Sequence, residues 1–215
     1  MRIVLLGPPA SGKGTQGRRL SAQLDLEYLS TGALLREAVE NRTKLGIAAE
    51  PVLERGGYVP DELICPILGE WLEQHDAGTG WVLDGFPRTL NQATFLDDWL
   101  SARNSTLDVA VALEAPLSEL LERIRDRVEC PDCRWSGKRD ELTDSEECPK
   151  CGGEAAARTD DDEDNFRNRH LEFVSNTLPA IDFYRETGRL ITVSATGTRD
   201  QTAAAILQGI KSAPH

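Results

Sequence analysis

Two short stretches carry residue types at spacings that can do chemistry. The first, GPPASGKGT, runs from Gly7 to Thr15, directly after the apolar run RIVLL. Gly7, Gly12 and Lys13 sit where a G-x-x-x-x-G-K phosphate loop puts them, but Gly14 follows the lysine and Thr15 comes one place late. Gly12 and Gly14 let the backbone curl so that successive N–H groups point inward around an anion. A helix starting there adds its positive N-terminal end, and Lys13 adds a mobile cation for outer phosphates. Without a ligand, the same stretch reads as a Gly-rich strand-to-helix turn. The second stretch is a pair of knuckles, CPDC and CPKC, holding Cys130, Cys133, Cys148 and Cys151 with fourteen residues between the pairs. That spacing places four thiolates around one tetrahedral metal. Zinc is favoured because it is redox-inert and suits four cysteines; rubredoxin-like iron is the competitor. Two disulfides are disfavoured in a reducing compartment.

These residues need a scaffold, and the chain has the means for one. Its 215 residues, 40% hydrophobic and 28% charged, suit one globular domain with small insertions. No run approaches the roughly 20 apolar residues of a membrane span. The opening MRIVLLGPPA has too short an apolar core for a secretory signal. A cytoplasmic location without a membrane partner is the expectation. The charge balance is acidic, 24 Lys+Arg against 36 Asp+Glu for a net −12. A nucleic-acid binder usually has the opposite sign, whereas a local basic site for one small anion remains compatible. Strands are expected at Ile3–Leu6, Glu27–Ser30, Trp81–Asp84, Val109–Leu113 and Arg189–Val193. Helical patterns fill Gly14–Leu24, Gly32–Asn41, Asp61–Gln74, Gln92–Ala102, Pro116–Arg127 and Asn165–Thr187. Buried strands alternating with helices predict a parallel α/β sheet in three layers. The acidic run RTDDDEDN reads as a solvated helix start.

LSTGALLRE (Leu29–Glu37) and WVLDGFPRTLNQA (Trp81–Ala93) follow the loop at intervals. With them the sequence resembles the adenylate kinase family, within the nucleoside monophosphate kinases, over essentially the whole chain. The family's loop reads G-x-P-G-x-G-K-G-T, so Gly14 before Thr15 is the family's own form. Ala10 departs from it: the family usually has Gly there, and a methyl falls where the backbone can require an unusual φ. The resemblance implies a P-loop NTPase sandwich with a five-stranded parallel sheet, an acceptor-binding helical segment and a small zinc-bound lid. Its parts would be a core of residues 1–29, 60–125 and 162–215, an AMP-binding segment 30–59 and a zinc-binding lid 126–161. The implied reaction is Mg·ATP + AMP ⇌ 2 ADP, by a monomer whose partners are ATP, AMP and ADP.

Residue roles follow from the same resemblance. Ala10, Ser11, Gly12, Lys13, Gly14 and Thr15, with Arg127, would contact ATP, and Asp84 would hold Mg²⁺ through water. Thr31 would meet the AMP base and Arg36 its phosphate, with the backbone of Gly57, Tyr58 and Val59 near the base. In the Gly85, Phe86, Pro87, Arg88 stretch, Arg88 would grip the acceptor phosphate, and Gln92 would read adenine. Lys13, Arg88, Arg123, Arg127, Arg158 and Arg169 would surround the transferring phosphoryl group, Arg158 and Arg169 also touching AMP. Arg123 and Arg127, four apart, are expected on one helix face. Asp160, Asp161 and Glu163 would orient arginines rather than act as bases. Ala33 stands where the family usually has Asp. Kinases for pyrimidine acceptors usually carry Ala in place of Thr31. Structural zinc pins the lid of some bacterial members. The tip DELTDSEE between the knuckles is acidic, which argues against nucleic acid.

Plainer readings exist for each residue. Ser30 or Thr31 can cap the following helix, the arginines can be surface charge, and Asp84 can be a turn carboxylate. Cys65 reads as packing; His75, His170 and His215 read as surface or capping residues. Arg134–Lys138 departs from the family's usual Tyr-His, so no ATP contact is assigned there. The stretch VSATGTRDQ likewise carries no assigned contact. A UMP/CMP or GMP kinase, and a zinc-ribbon NTPase acting on nucleic acid or a protein, stay open as other readings.

Overall fold

In the computed structural model, residues 1–76, 78, 80–133, 135–158 and 161–213 are described. Asp160, Arg134 and His215 therefore lie outside the described residues. The five expected strands form one all-parallel sheet. They are β1 (Arg2–Leu6), β2 (Glu27–Ser30), β3 (Trp81–Asp84), β4 (Val109–Glu114) and, after two short lid strands, β7 (Leu190–Ser194). Their order is β2-β3-β1-β4-β7, with β1 central. Val4 lies opposite Leu83 on one side and Ala110 on the other.

The alternation of side chains across this sheet builds the three layers. Val4, Leu6, Leu83 and Ala110 face one way, onto α4 (Asp61–His75), α5 (Leu90–Ser101) and α8 (Leu178–Glu186). Ile3, Leu5, Val82 and Val111 face the other, onto α1 (Lys13–Leu24) and α9 (Arg199–Ser212). Burial on both faces is why these strands read as continuous apolar runs. With β1 in the middle, the carboxyl ends of β1, β3 and β4 open on one edge. Ligands of open α/β sheets bind there.

Three stretches depart from the expectation. The helix α3 (Lys44–Glu54) was not legible: it contains Gly46 and Pro51, both poor helix residues. Gly46 is needed because α3 crosses α2 (Thr31–Glu40) so closely that a Cβ would lie 1.9 Å from Ala38 O. Tertiary packing, not propensity, makes that helix. The helix α9 also lies beyond the expected helical stretches, although a Thr198/Gln201 capping box marks its start. The single helix expected over Asn165–Thr187 is α7 (Glu163–Glu172), one π-helical turn at Phe173–Thr177, and α8. Asp162 caps α7 by accepting from Asn165 N, so the acidic run is indeed a helix start.

The helix α6 (Leu117–Asp126) ends one residue before Arg127, which has extended backbone and begins β5 (Arg127–Glu129). Arg123 and Arg127 therefore do not share a helix face, a correction to the periodicity reading. β5 pairs antiparallel with β6 (Ser136–Lys138). Leu120, Ile124 and Phe166 pin α6 to α7.

Candidate active site

The loop after β1 curls at Gly7 and Gly12, whereas Gly14 lies within α1 without a positive φ. Gly7 has φ 143°, and a Cβ there would lie 2.6 Å from Leu113 O of β4. Gly12, at φ 93°, is the N-cap of α1. Ala10 has φ 62°, the left-handed conformation that costs a non-glycine residue roughly 1–2 kcal/mol. The departure from glycine thus falls where the sequence raised the issue. Its methyl packs against the Leu120, Ile124 and Phe166 cluster, which offsets part of that cost.

Lys13 folds back over this loop. Its Nζ donates to Gly7 O at 2.8 Å, Pro8 O at 2.7 Å and the buried Ser11 hydroxyl at 3.4 Å. Burial pushes its pKa down to about 7; Asp84 opposes the shift, and the charges of Arg88, Arg169 and Arg127 add to it. An amine in that position is a poor resident cation and a good partner for incoming phosphate.

Asp84 ends β3, buried beside the loop. Its Oδ2 lies 3.3 Å from where a Gly14 Cβ would stand, so the carboxylate faces the phosphate loop. Tyr28 O–H donates to Oδ2 at 3.0 Å. Burial and then the Asp84 charge push the phenol's pKa up, so it remains a donor. A carboxylate at this place, with the Thr15 hydroxyl in the same cleft, fits a water-coordinated Mg²⁺.

On the other side of Asp84 lies the segment expected to hold the acceptor. Ser30, not Thr31, caps α2, accepting from Ala33 N at 3.4 Å. Thr31 is buried and donates to Asp84 O at 3.3 Å. Arg36 and Arg88 converge: a Cβ on Gly32 would have Arg36 Nη1 at 3.4 Å and Arg88 Nη2 at 3.8 Å. Arg88 Nε donates to Gly85 O, and its guanidinium lies over the Tyr58 ring, 4.9 Å from the centroid. The Tyr58 hydroxyl meets Thr177 Oγ1, which donates to Arg88 O at 2.9 Å. The π-helical turn thereby braces the arginine. Thr31, Val59, Gly85, Arg88 and Gln92 line a small cavity. Gly57 precedes it in the chain, packed against Val52. Pro87 lines the main cleft. Phe86 is fully buried, edge-on to Phe95.

The lid-flanking arginines reach the same cleft. Asp161, whose side chain is 3% exposed, takes both ends of the Arg127 guanidinium, one at 2.5 Å, and lies 3.7 Å from Arg169 Nη1. It orients two site arginines, as expected. Glu163 instead holds Arg125 and Arg167 on the surface. Arg158 Nε lies 3.5 Å from Glu129. Arg123 contacts Glu119, Ala195 O and Ala10 O, bridging the loop to the end of β7. Lys13, Arg36, Arg88, Arg123, Arg127, Arg158, Arg169 and Asp84 all line one cleft of about 1890 Å³. That exceeds the roughly 300–1,000 Å³ of a single small-molecule site, and leaves room for two ligands.

In the lid, the four Sγ atoms lie within 4.8 Å of one another, with Cys130–Cys151 and Cys133–Cys148 at 3.6 Å. All five cysteines are free, and covalent S–S bonds are about 2.05 Å, so the disulfide reading fails. A tetrahedral ion with metal–sulfur bonds of about 2.3 Å needs an edge of about 3.8 Å, and the cage fits it. Trp135 O accepts from Cys130 N and Gly153 O from Cys148 N, closing each knuckle. Across the cleft mouth, Arg199 of α9 grips Glu141 of the lid with two bonds at 2.7 and 2.8 Å.

Of the other singled-out residues, Cys65 is half-buried against the core, and burial, then Asp61 and Glu62, push its thiol up to about 11. His75 ends α4 stacked on Trp71, and burial lowers the pKa of His170. Tyr28, Glu129, Glu141 and Arg199 line the same cleft, yet no local pattern in the chain marks them.

Comparison with known proteins agrees with this geometry. A family model described as "Adenylate kinase" matches residues 5–189. A protein of Archaeoglobus fulgidus named adenylate kinase is 40% identical over 222 residues, covering 99% of this chain and 100% of its own. Adenylate kinases of Thermodesulfovibrio yellowstonii (40%, 94% of each chain) and Streptomyces coelicolor (38%, 98% of this chain and 99% of its own) are similarly alike. The glycine loop, the paired arginines and a match spanning most of the residues lead to one conclusion: the chain belongs to the adenylate kinase family.

Proposed function

We propose that this protein transfers a phosphoryl group reversibly from Mg·ATP to AMP, giving two ADP. The convergence of Lys13 and the arginines from four separate chain regions on one two-ligand cleft carries the reading. The loop Ala10–Thr15 holds the donor phosphates through backbone N–H groups, and Lys13 swings from its carbonyls onto them. Arg36 and Arg88 hold the acceptor phosphate, and Arg127, Arg158 and Arg169 lie between. Arg123, tied to the loop and to Ala195 O, closes the donor side. Planar guanidinium groups grip two phosphate oxygens each and stay charged at any working pH. Phosphoryl transfer needs alignment, charge neutralisation and exclusion of water more than covalent help. Mg²⁺, held through water by Asp84 with Thr15 nearby, supplies further neutralisation when bound.

Residues 30–59 and 126–161 close over a core of residues 1–29, 60–125 and 162–215, which protects ATP from hydrolysis. Thr31 and Gln92 support AMP over pyrimidine or guanine acceptors. Zn²⁺ in the cysteine cage is structural, holding a lid too small to fold firmly by itself. Among the described residues no helix is long and apolar enough to cross a membrane; the acidic net charge disfavours nucleic acid as a partner, and we assign a cytoplasmic monomer. The test is ADP formation from Mg·ATP with AMP, CMP, UMP, GMP or no acceptor. Turnover with AMP alone is expected. Preference for another monophosphate overturns the specificity, and equal ADP without acceptor overturns the kinase.

A further inference from the structure

We infer that Asp61 determines the base specificity of the acceptor site, by fixing which way the Gln92 amide faces so that a 6-aminopurine is accepted and a 6-oxopurine refused. The inference rests on Gln92 facing the acceptor base, as proposed above. Gln92 is 2% exposed, in the first turn of α5, where its own N–H donates to the capping hydroxyl of Thr89 at 3.1 Å. Its amide has two short bonds. Nε2 donates to Asp61 Oδ1 at 2.6 Å, and Oε1 accepts from Arg88 N at 2.7 Å.

A carboxylate oxygen only accepts and a backbone N–H only donates. The amide consequently has one orientation. Flipped, Oε1 would face Asp61 Oδ1 and the NH₂ group would face the Arg88 N–H, leaving two repulsive contacts in a buried place. Asp61 is itself held. Its Oδ2 accepts from Thr89 Oγ1 at 3.4 Å, and it sits in the first turn of α4, where the helix N-terminus favours a carboxylate.

With those partners engaged, Gln92 keeps one N–H on Nε2 and one lone pair on Oε1. Side by side they form a donor and an acceptor. Adenine offers the complement on one edge, the 6-amino donor and the N1 acceptor. Hypoxanthine and guanine offer the reverse there, an O6 acceptor and an N1–H donor. Pairing with them requires the flip that Asp61 and the Arg88 N–H oppose. Thr31, Leu35, Val59 and Ile64 wall the cavity that Gln92 and Arg88 line. Asp61 is thus a positioning residue, thirty-one places from the amide it orients.

The test compares AMP with IMP, which differ at the 6-position and N1 and not in size. The AMP-to-IMP ratio of kcat/KM is measured for the parent chain and for Asp61→Asn, Asp61→Glu and Gln92→Met, with KM for ATP and the melting temperature alongside. Asp61→Asn frees the flip. It is expected to lower the ratio at least about tenfold with KM for ATP unchanged, because buried polar mismatches are what give such discrimination. Asp61→Glu keeps the carboxylate and is expected to retain most of the ratio. Asp61→Ala replaces Asp61→Asn should the latter not fold. A ratio unchanged in Asp61→Asn, or lowered equally in Asp61→Glu, while Gln92→Met abolishes it, overturns the role of Asp61 alone. A ratio unchanged in Gln92→Met shows that Gln92 does not read the base, and both readings fall.

Discussion

The Tyr28 hydroxyl, on an edge strand, donates to Asp84 Oδ2 at the neighbouring strand's end, 3.0 Å away. Gly17 of α1 makes this possible, since a Cβ there would lie 2.6 Å from the Tyr28 ring. The phenol uses one lone pair of Oδ2 and holds the carboxylate toward the phosphate loop. A hydrogen bond to a charged group contributes about 1.5–3 kcal/mol. Tyr28→Phe is therefore expected to raise the free Mg²⁺ needed for half-maximal activity about tenfold. Activity titrated against free Mg²⁺ checks this, and an unchanged midpoint would show that the bond does not serve the metal.

Lys13 makes donor binding pH-dependent in a definite direction. In the free protein its pKa is about 7, and phosphate must raise it. Below that pH the amine is already charged and binding takes up no proton. Above it, about one proton enters per ATP bound, and affinity weakens as pH rises toward the bound-state value. Calorimetry at pH 8 in buffers of different ionisation enthalpy measures the uptake, which Lys13→Met should abolish along with turnover. For folding the sign is opposite to that of a paired lysine. The unfolded chain binds the extra proton between about pH 7 and the ordinary lysine pKa of 10.5, so Lys13 contributes stability that grows as pH rises through that window. Lys13→Met should thus melt no lower than the parent at pH 6.

The cysteine cage predicts a metal-dependent lid on a metal-independent core. The purified chain should carry about one metal per molecule, zinc by elemental analysis. Removal by a chelator, or Cys133→Ser, should expose residues 127–158 to limited proteolysis while the sheet persists in circular dichroism. Loss of turnover with an unchanged cleavage pattern would place the metal in the chemistry instead.

Arg199 and Glu141 tie α9 to the lid with a bidentate pair, but the side chains are 43% and 33% exposed. Exposed pairs contribute about 0–1 kcal/mol. Arg199→Ala is accordingly expected to raise KM for ATP only about two- to threefold, an effect that disappears at high salt. A change of a hundredfold would mean that Arg199 touches the nucleotide directly.

Legibility followed the range of the interaction. The strands were visible because burial on both faces writes a continuous apolar run into consecutive residues. The glycine loop and the cysteine knuckles were visible because backbone curvature and tetrahedral ligation act within a few positions. The Ala10 strain was foreseeable for the same reason, and the Thr198/Gln201 box could have revealed α9. By contrast, α3 carries Gly46 and Pro51 against its own propensity and exists because α2 receives it. The break between Arg123 and Arg127 arises where β5 pairs with β6, which no helical period records.

The sequence by itself determined which chemistry was available: a phosphate loop, guanidinium groups, a carboxylate and four thiols, each set by side-chain type and short spacing. Only the tertiary structure decided how those groups are held, with Tyr28 on Asp84, Asp161 between Arg127 and Arg169, and Asp61 on Gln92. These partners come from chain segments that meet only when the sheet and its layers assemble. A hydrogen bond between distant residues leaves no period, spacing or composition in the chain to betray it.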